Sequence, residues 1–310
     1  MTSRSETAPP PPSFGAQVRS AVIWRSGTQI FSQLVAWAST FLVIRILSPS
    51  DYGLFAMTSV VLVLLSLLNG QGFANAAIQQ RDGGPHQLRQ LFGLLLVVNV
   101  GLAALQVLAA PLVAAYYRQP MVADLLRVQA LIYLTNPFLA LGTTVLCREM
   151  DFRKQAQVNV LSALTGAVAA LAGALGGLGV WTLVLAPLTS FAVRGFGMAI
   201  AARALVWPSF DFRGTGALAA YGGTVMAGQI FWFTQTQADI VIAGRAFSPQ
   251  ELGYYTTALF LAQIFVTKVV PPLNEVAFSA YAQIQDDRAA VSAGFLKSVR
   301  LIMTLAMPFC

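Results

Sequence analysis

The stretch 45–55 reads RILSPSDYGLF, and the stretch 245–255 reads RAFSPQELGYY. Each pattern is typical of a helix start. The serine caps the first turn, the proline fits the first helical position because its missing amide would be unpaired there, and the carboxylate two residues later reaches back in a capping box. Arg45 and Arg245 precede these starts, where a cation interacts favourably with the dipole of the preceding helix. The sequence therefore predicts, at two places, one helix that ends and another that begins.

The composition predicts that lipid surrounds most of these helices. The chain is 56% hydrophobic and only 10% charged, whereas soluble domains contain about 25% charged residues. A helix needs roughly 20 mainly apolar residues to cross the hydrocarbon core. Nine stretches meet this requirement, near 22–47, 53–78, 91–116, 124–147, 158–178, 180–202, 218–243, 254–278 and 295–310.

The similarity between the two stretches extends upstream in the same register. Gln29-Ile30-Phe31 lies before the first stretch, and Gln229-Ile230-Phe231 lies 200 residues later. Reuse of a favourable turn would explain the short motif alone, whereas a match along a whole span favours a duplicated unit of six helices. Six is an even number, so both copies enter the membrane from the same side and form parallel repeats.

The distribution of positive charge predicts the orientation. If the N-terminus is cytoplasmic, thirteen Lys and Arg residues lie on the cytoplasmic side, and only Arg45, Arg118, Arg127 and Arg245 lie outside. This asymmetry follows the positive-inside rule. The predicted domains are a disordered cytoplasmic tail at 1–20, a six-helix lobe at 21–210 and the start of a second, incomplete lobe at 217–310. The ninth span stops at Cys310 in mid-membrane, so we expect a fragment of a longer protein.

Several kinds of site are not expected. The sequence contains no zinc-type Cys/His spacing, no phosphate-binding glycine loop and no nucleophile elbow. Cys147 and Cys310 lie beside or within apolar runs and imply no disulfide framework, and His86 lies in a polar connector. No metal, cofactor, catalytic residue or nucleic-acid partner is predicted, because the basic residues come in small groups between the spans.

A series of motifs resembles one family. The stretches RILSPSDYGLFAMTSVV, GQGFANAAIQQRD, APLVAAYYRQP, CREMDFRKQA, GLGVWTLV and AFSAYAQIQDDR are similar, in this order, to Wzx-type lipopolysaccharide and exopolysaccharide flippases, nearest the colanic-acid exporters. The resemblance implies an all-α, MATE-like membrane bundle of two lobes around a central cavity. It also implies an undecaprenyl-diphosphate-linked oligosaccharide that is moved across the inner membrane, with membrane lipid and a polysaccharide polymerase or co-polymerase as further partners.

Charged residues within spans are the candidate site residues, because each costs ~3 kcal/mol unless it faces an interior or reaches the interface. We expect Arg25, Arg194 and Lys268 to hold the diphosphate, with an interfacial anchor (Arg25) or a structural ion pair (the other two) as the alternatives. Asp239 is interpreted as the ion-pair partner of an arginine such as Arg245, with proton or cation coupling as the alternative. The amides that suit sugar hydroxyls, and equally interhelical hydrogen bonds, are Gln29, Asn75, Gln229 and Gln237.

Three other functions are compatible with a membrane bundle. A MATE-type cation-coupled drug antiporter would need acidic residues in its cavity, and such residues are scarce within these spans. A membrane polysaccharide polymerase or ligase would need a large outer loop with catalytic Arg or His, whereas the predicted outer loops are short and contain no histidine. A purely structural membrane subunit would explain neither the repeat nor the charges within spans.

Overall fold

The computed structural model describes residues 14–67, 85–149, 151–204, 206–210 and 216–263, together with a few positions between 296 and 304. Side chains are described from 27 in the first of these stretches, from 88 in the second (Arg148 excepted) and from 231 in the last continuous one. The predicted spans near 254–278 and 295–310 therefore lie largely outside the described residues.

Helices make up nearly all of the described chain. They are α1 (Phe14–Ile46), α2 (Pro49–Ser66), α3 (Pro85–Tyr117), α4 (Pro120–Gln129), α5 (Leu131–Arg148), α6 (Phe152–Leu175), α7 (Val180–Ala201), α8 (Gly216–Ala246) and a helical stretch, α9, at 249–263. Six stretches within 27–201 are long and apolar enough to cross a membrane. The predicted all-α, polytopic membrane bundle is confirmed.

Both copies of the motif form the predicted helix starts. The Ser48 hydroxyl accepts a hydrogen bond from the Asp51 amide at 3.3 Å, and the Ser48 amide donates to the Asp51 carboxylate at 3.0 Å. Ser248 and Glu251 make the same pair of hydrogen bonds, at 3.3 and 2.9 Å. Both capping boxes pair amides that have no partner within the helix. We call the end of the bundle that contains 45–53 and 245–253 the motif end.

Small residues bring the helices of 27–201 into close contact. A Cβ added at Gly173 would lie 2.9 Å from the Thr182 hydroxyl, and one at Gly166 would lie 2.9 Å from the Ser190 side chain. These contacts join α6 to α7, because the small residues of 166–177 let two helices approach closely. The turn between these two helices contains Gly177 at φ 73° and Gly179 at φ 54°, which are conformations that glycine adopts without strain.

The fourth predicted span consists of two helices rather than one. The break lies at Ala130 between α4 and α5, whereas Pro137 lies inside α5. The fully buried side chain of Gln106 donates a hydrogen bond to the Leu126 carbonyl at 2.8 Å, just before the break. A neighbouring α3 side chain thus pairs backbone near the interruption, which is how irregular backbone persists within a membrane span.

The chain after α7 lies against the start of α3. The Ser209 amide donates to the Arg89 carbonyl at 2.9 Å, and Arg89 Nε donates to the Trp207 carbonyl at 3.0 Å. This contact is at the opposite end of the bundle, as are Arg153, Lys154 and Arg203, whereas Arg45, Arg118 and Arg245 lie at the motif end. The members of the two groups that are named here, all of them described residues, therefore occupy different ends of the molecule.

Candidate functional site

A cavity of about 1080 Å³ lies between the helices of 27–201 and the pair α8–α9. Its walls are formed by α1, α2, α5, α6 and α7 on one side and by α9 with Ile240 of α8 on the other. Near the motif end the wall residues are buried, for example Val43 and Thr182 at 3% and 1% exposure. Toward the opposite end Gln29 and Arg194 are exposed. The cavity therefore becomes accessible toward the opposite end.

Arg194 is the one charged residue among the described residues that line the cavity. It lies on α7, about two turns before the end of that helix at Ala201. Within the described part of the chain, Arg194 makes neither an ion pair nor a hydrogen bond. The structure thus brings this predicted cation to the cavity and provides no described acid to neutralise it.

Hydrogen-bonding atoms without a partner line the cavity at several depths. Ser32 Oγ, Tyr52 OH, Asn159 Oδ1 and Thr182 Oγ1 are buried and make no hydrogen bond with any described residue. An unsatisfied buried polar group costs about 1–3 kcal/mol. Since water does not reach these four atoms in this conformation, a small movement of their side chains would be needed for a hydrogen bond to water or to a ligand hydroxyl in the cavity.

Other hydroxyls on the walls are already fixed by helix carbonyls. Ser162 Oγ donates to the Asn159 carbonyl at 2.9 Å, and Ser190 Oγ donates to the Ser162 carbonyl at 3.0 Å. Gln155 Nε2 donates to Cys147 Sγ at 3.3 Å near the opposite end. Such hydroxyls keep lone pairs that can accept a further hydrogen bond. These side chains add neutral acceptors to a wall in which Arg194 is the one charged residue among the described lining residues.

Sequence reasoning identified some of these residues and missed others. Gln29 lines the cavity as well as Arg194, whereas Gln237 is half-buried on α8 and is not among the lining residues. The side chains of Arg25 and Gln229, and the whole of Asn75 and Lys268, lie outside the described residues. The missed lining residues include Ser32, Tyr52, Asn159, Ser162, Thr182 and Ser190. On α6 the spacing of Gln155, Asn159 and Ser162 forms a polar stripe at helical intervals, and this signal was readable in the sequence.

The predicted ion pair between Asp239 and Arg245 is wrong. The Tyr255 hydroxyl donates to Asp239 Oδ2 at 2.6 Å, and Arg245 instead donates to the Tyr116 carbonyl and lies over the Tyr116 ring, 5.5 Å from its centroid. The reason is geometric, since residues six apart on a helix point in directions about 120° apart. Asp239 therefore packs against α9, and Arg245 packs against α3.

The geometry of the cavity suits one class of ligand. A guanidinium forms strong, charge-assisted hydrogen bonds to phosphate or carboxylate, and neutral hydroxyls and amides suit sugar hydroxyls. The described lining residues include no Asp or Glu, so they offer no acidic partner for a cationic ligand. The cavity is thus suited to an anionic head group that carries many hydroxyls.

Comparison with known proteins identifies the family. The family model described as "Polysaccharide biosynthesis protein" matches residues 42–310. The chain belongs to this polysaccharide biosynthesis protein family. The resemblance to Wzx-type polysaccharide exporters that the motifs suggested is thereby confirmed.

Three relatives of this polysaccharide biosynthesis protein illustrate the range of the family. The chain is 28% identical over 265 residues to the succinoglycan biosynthesis transport protein ExoT of Rhizobium meliloti (strain 1021). The aligned region covers 85% of this chain and 53% of that protein. It is 21% identical over 307 residues to the teichuronic acid biosynthesis protein TuaB of Bacillus subtilis (strain 168), with 96% and 62% covered. It is 22% identical over 266 residues to the lipopolysaccharide biosynthesis protein WzxC of Escherichia coli (strain K12), with 85% and 54% covered.

The chain thus spans between 53% and 62% of the length of these three relatives. No solved structure matches it.

Proposed function

We propose that the protein is a flippase, which moves a lipid-diphosphate-linked oligosaccharide from the cytoplasmic to the outer leaflet of the inner membrane for exopolysaccharide or lipopolysaccharide synthesis. The observation that carries this proposal is the unpaired cation Arg194, in a cavity whose other described polar lining residues are neutral. The names of two relatives support it, since one is a succinoglycan biosynthesis transport protein and another a lipopolysaccharide biosynthesis protein. The chain acts as a carrier and not as an enzyme.

The physical problem for such a carrier is the polar head of its substrate. Transfer of an ionised group into hydrocarbon costs tens of kcal/mol in the idealised limit. A hydrated cavity with a fixed cation lowers this barrier, because the diphosphate keeps both water and an opposite charge. The apolar tail needs no such path and stays in the surrounding lipid.

The cavity residues lie at two levels. Gly197 packs against Val158, and the Ser190 hydroxyl donates to the Ser162 carbonyl, so Arg194 lies at about the same level as Asn159. At this level Arg194 binds the diphosphate, Arg25 and Lys268 are proposed to contribute, and Gln29 and Asn159 bind the first sugar. Thr182 and Tyr52 lie closer to the motif end and bind hydroxyls of sugars that enter further. The charged contact is thus confined to one level, and the contacts nearer the motif end are neutral hydrogen bonds.

The orientation follows from the same arrangement. The end with more positive charge faces the cytoplasm, so the accessible end of the cavity faces the side on which lipid-linked sugars are assembled. Residues 21–210 then form one lobe, and 217–310 begin a second. A polysaccharide polymerase that acts on the outer face is the expected downstream partner.

Deletion of the gene tests the proposed reaction. Lipid-linked repeat units should accumulate on the cytoplasmic face, where they stay protected from reagents that act only from outside. Accumulation of flipped but unpolymerised units would instead indicate a polymerase, and normal glycan export without the gene would reject both functions.

Substitution of Arg194 tests the proposed site. A charge-assisted hydrogen bond contributes about 1.5–3 kcal/mol, so Arg194→Gln should weaken substrate binding ~10-fold or more, and Arg194→Lys should retain part of the binding. Arg203→Gln is the matched control, since this exposed arginine lies on the same end but outside the cavity. Normal export after removal of the charges at Arg25, Arg194 and Lys268 together, at normal protein levels, would refute the site.

A further inference from the structure

The two copies of the motif pack against each other at the motif end. A Cβ added at Gly53 would overlap the Pro249 carbonyl, and a Cβ added at Gly253 would overlap the Pro49 carbonyl. The contact is reciprocal, because each glycine meets the proline of the other copy. Such a pattern arises when two equivalent elements meet across a two-fold axis.

This close approach requires glycine at both positions. The colliding atoms belong to the backbone of a helix start, and they cannot rotate away as a flexible side chain would. Gly53 and Gly253 are both buried in the contact. The same residue type therefore recurs after 200 residues because both copies take part in one interface.

A layer of apolar side chains surrounds the glycine contact. Met57 of α2, Ala114 of α3 and Leu126 of α4 belong to one buried cluster with Ile240 of α8 and Leu252 of α9. The ring of Tyr117 lies against Gly244, so that a Cβ there would be 2.6 Å from it.

The layer lies directly above the cavity, since Ala56 and Ile240 belong both to this cluster and to the cavity wall. It separates the cavity from the medium at the motif end.

We propose that this reciprocal contact is the gate that closes the cavity at the motif end, and that it opens when the starts of α2 and α9 move apart. The inference rests on the proposed function, because a flippase must expose its cavity to each side in turn. It adds to that function the position of the closure and the residues that form it.

The capping boxes allow the two helix starts to separate at low cost. Ser48 with Asp51, and Ser248 with Glu251, pair the first amides of each helix within its own copy. Separation therefore leaves these amides paired. When the gate opens, water replaces the van der Waals contact between the two helix starts, and the backbone hydrogen bonds within each start remain.

Arg245 of α8 holds the second copy of the motif against α3. It donates to the Tyr116 carbonyl, and the Tyr116 hydroxyl donates to the Val241 carbonyl at 3.4 Å. Arg45 occupies the equivalent position in the first copy, where it is exposed and has no partner among the described residues. Arg245 therefore stabilises the closed gate, and substitution of Arg45 serves as the matched control.

Cysteine labelling in membrane vesicles tests the gate. In a background with Cys147→Ser and Cys310→Ser, Ser59→Cys places a thiol on the cavity wall below the gate, and Gln250→Cys in a separate variant marks the motif side. A membrane-impermeant maleimide should label position 59 slowly from the motif side and quickly from the other side. Gly53→Ala or Gly253→Ala should raise labelling from the motif side ~10-fold. Gly101→Ala should not, because that helical glycine has no neighbour within 4 Å.

A second pair of variants covers the case in which an added methyl group prevents folding. Arg245→Gln removes a contact without adding bulk and should raise labelling from the motif side several-fold, whereas Arg45→Gln should leave it unchanged. Equal labelling in all variants at equal protein level would overturn the gate, as would fast labelling of the parent from the motif side. Glycan export is measured separately and reports on the proposed function. A flippase whose gate lies elsewhere would therefore export glycan normally and show no change in labelling.

Discussion

The copy at 45–55 and the copy at 245–255 form the same helix start but have different surroundings. Tyr52 lines the cavity with an unpaired hydroxyl, whereas its counterpart Leu252 is fully buried in the apolar layer at the motif end. Arg45 is exposed, whereas Arg245 packs on Tyr116. Both copies form the same capping box, with Asp51 in one and Glu251 in the other, and both bring a glycine to the contact between the copies. They differ in the residue type at 52 and 252 and in the surroundings of the arginine. Equivalent local structure therefore occupies two different environments.

The largest difference is expected between Leu252 and Tyr52. Leu252→Ala removes a fully buried side chain and should lower the free energy of unfolding by about 2–5 kcal/mol. Tyr52→Phe removes only a hydroxyl that has no partner, so it should cost little stability and should instead reduce glycan export. Thermal unfolding of the detergent-solubilised protein and export in cells measure the two effects. A loss of stability at Tyr52→Phe as large as that at Leu252→Ala would contradict the distinction.

A smaller difference is expected between the two arginines. Arg245 makes one hydrogen bond to a carbonyl and one cation–π contact, which together contribute about 1–3 kcal/mol. Arg245→Gln should lower the unfolding free energy by this amount, while Arg45→Gln should change it by less than about 0.5 kcal/mol. Equal effects would indicate that the contact with Tyr116 is not specific to the second copy.

The two caps are expected to be equivalent. Ser48→Ala and Ser248→Ala each remove a serine that accepts a hydrogen bond from an amide three residues later, and each should cost about 1 kcal/mol. Replacement of either serine by glycine should cost only a few tenths of a kcal/mol. Unequal losses at the two serines, measured under the same conditions, would show that the copies differ in local structure as well.

The smallest effect is expected at a third cap, which lies at the opposite end and serves as a reference. Asp151 accepts a hydrogen bond from the Lys154 amide and forms an ion pair with the Lys154 side chain at 2.8 Å. The hydrogen bond from Lys154 lowers the pKa of Asp151 below its usual 3.8. A carboxyl whose folded pKa is depressed stabilises the protein above its ordinary pKa, and this stability is lost as the pH falls through the folded pKa.

Asp151→Asn should therefore be slightly less stable than the parent at pH 7, by a few tenths of a kcal/mol because both side chains are partly exposed to the solvent, which screens the pair. The difference between the two proteins should shrink as the pH falls below about 4 and disappear below the folded pKa of Asp151. The variant should also leave labelling from the motif side unchanged. A difference that grows with acid would contradict this interpretation of the cap.

Features that depend on neighbouring residues were predictable from the sequence. The helix starts at Pro49 and Pro249, the turn at 176–179 and the close packing of 166–177 all follow from interactions over a few residues. The spans followed from length and apolar composition, which lipid requires of any crossing helix. The break at Ala130 was missed because buried Gln106, twenty residues before Leu126, pairs the backbone beside it.

Features that depend on which face of a helix meets which neighbour were less accessible. Apart from the polar stripe on α6, these helices are apolar or small around most of their circumference, so periodicity does not distinguish a cavity face from a lipid face. Arg194 was identified because a charge in a span is costly. Thr182 and Tyr52 gave no comparable signal, since hydroxyls are common at helix interfaces. The predicted pairing of Asp239 with Arg245 was wrong because it considered only their closeness in sequence and not the directions in which they point on the helix. The contact of Gly53 with Pro249 depends on how α2 and α9 pack together, which the sequence does not show.

A covalent link between the two copies of the motif tests the account most directly. Ser50→Cys and Gln250→Cys each follow a proline whose carbonyl takes part in the reciprocal contact, and a short bifunctional thiol reagent with a cleavable bond should join them in the closed state. We expect export of the lipid-linked glycan to stop on cross-linking and to return when the link is cleaved, while each single cysteine variant with the same reagent keeps exporting. Export at the normal rate with the copies joined would contradict the account.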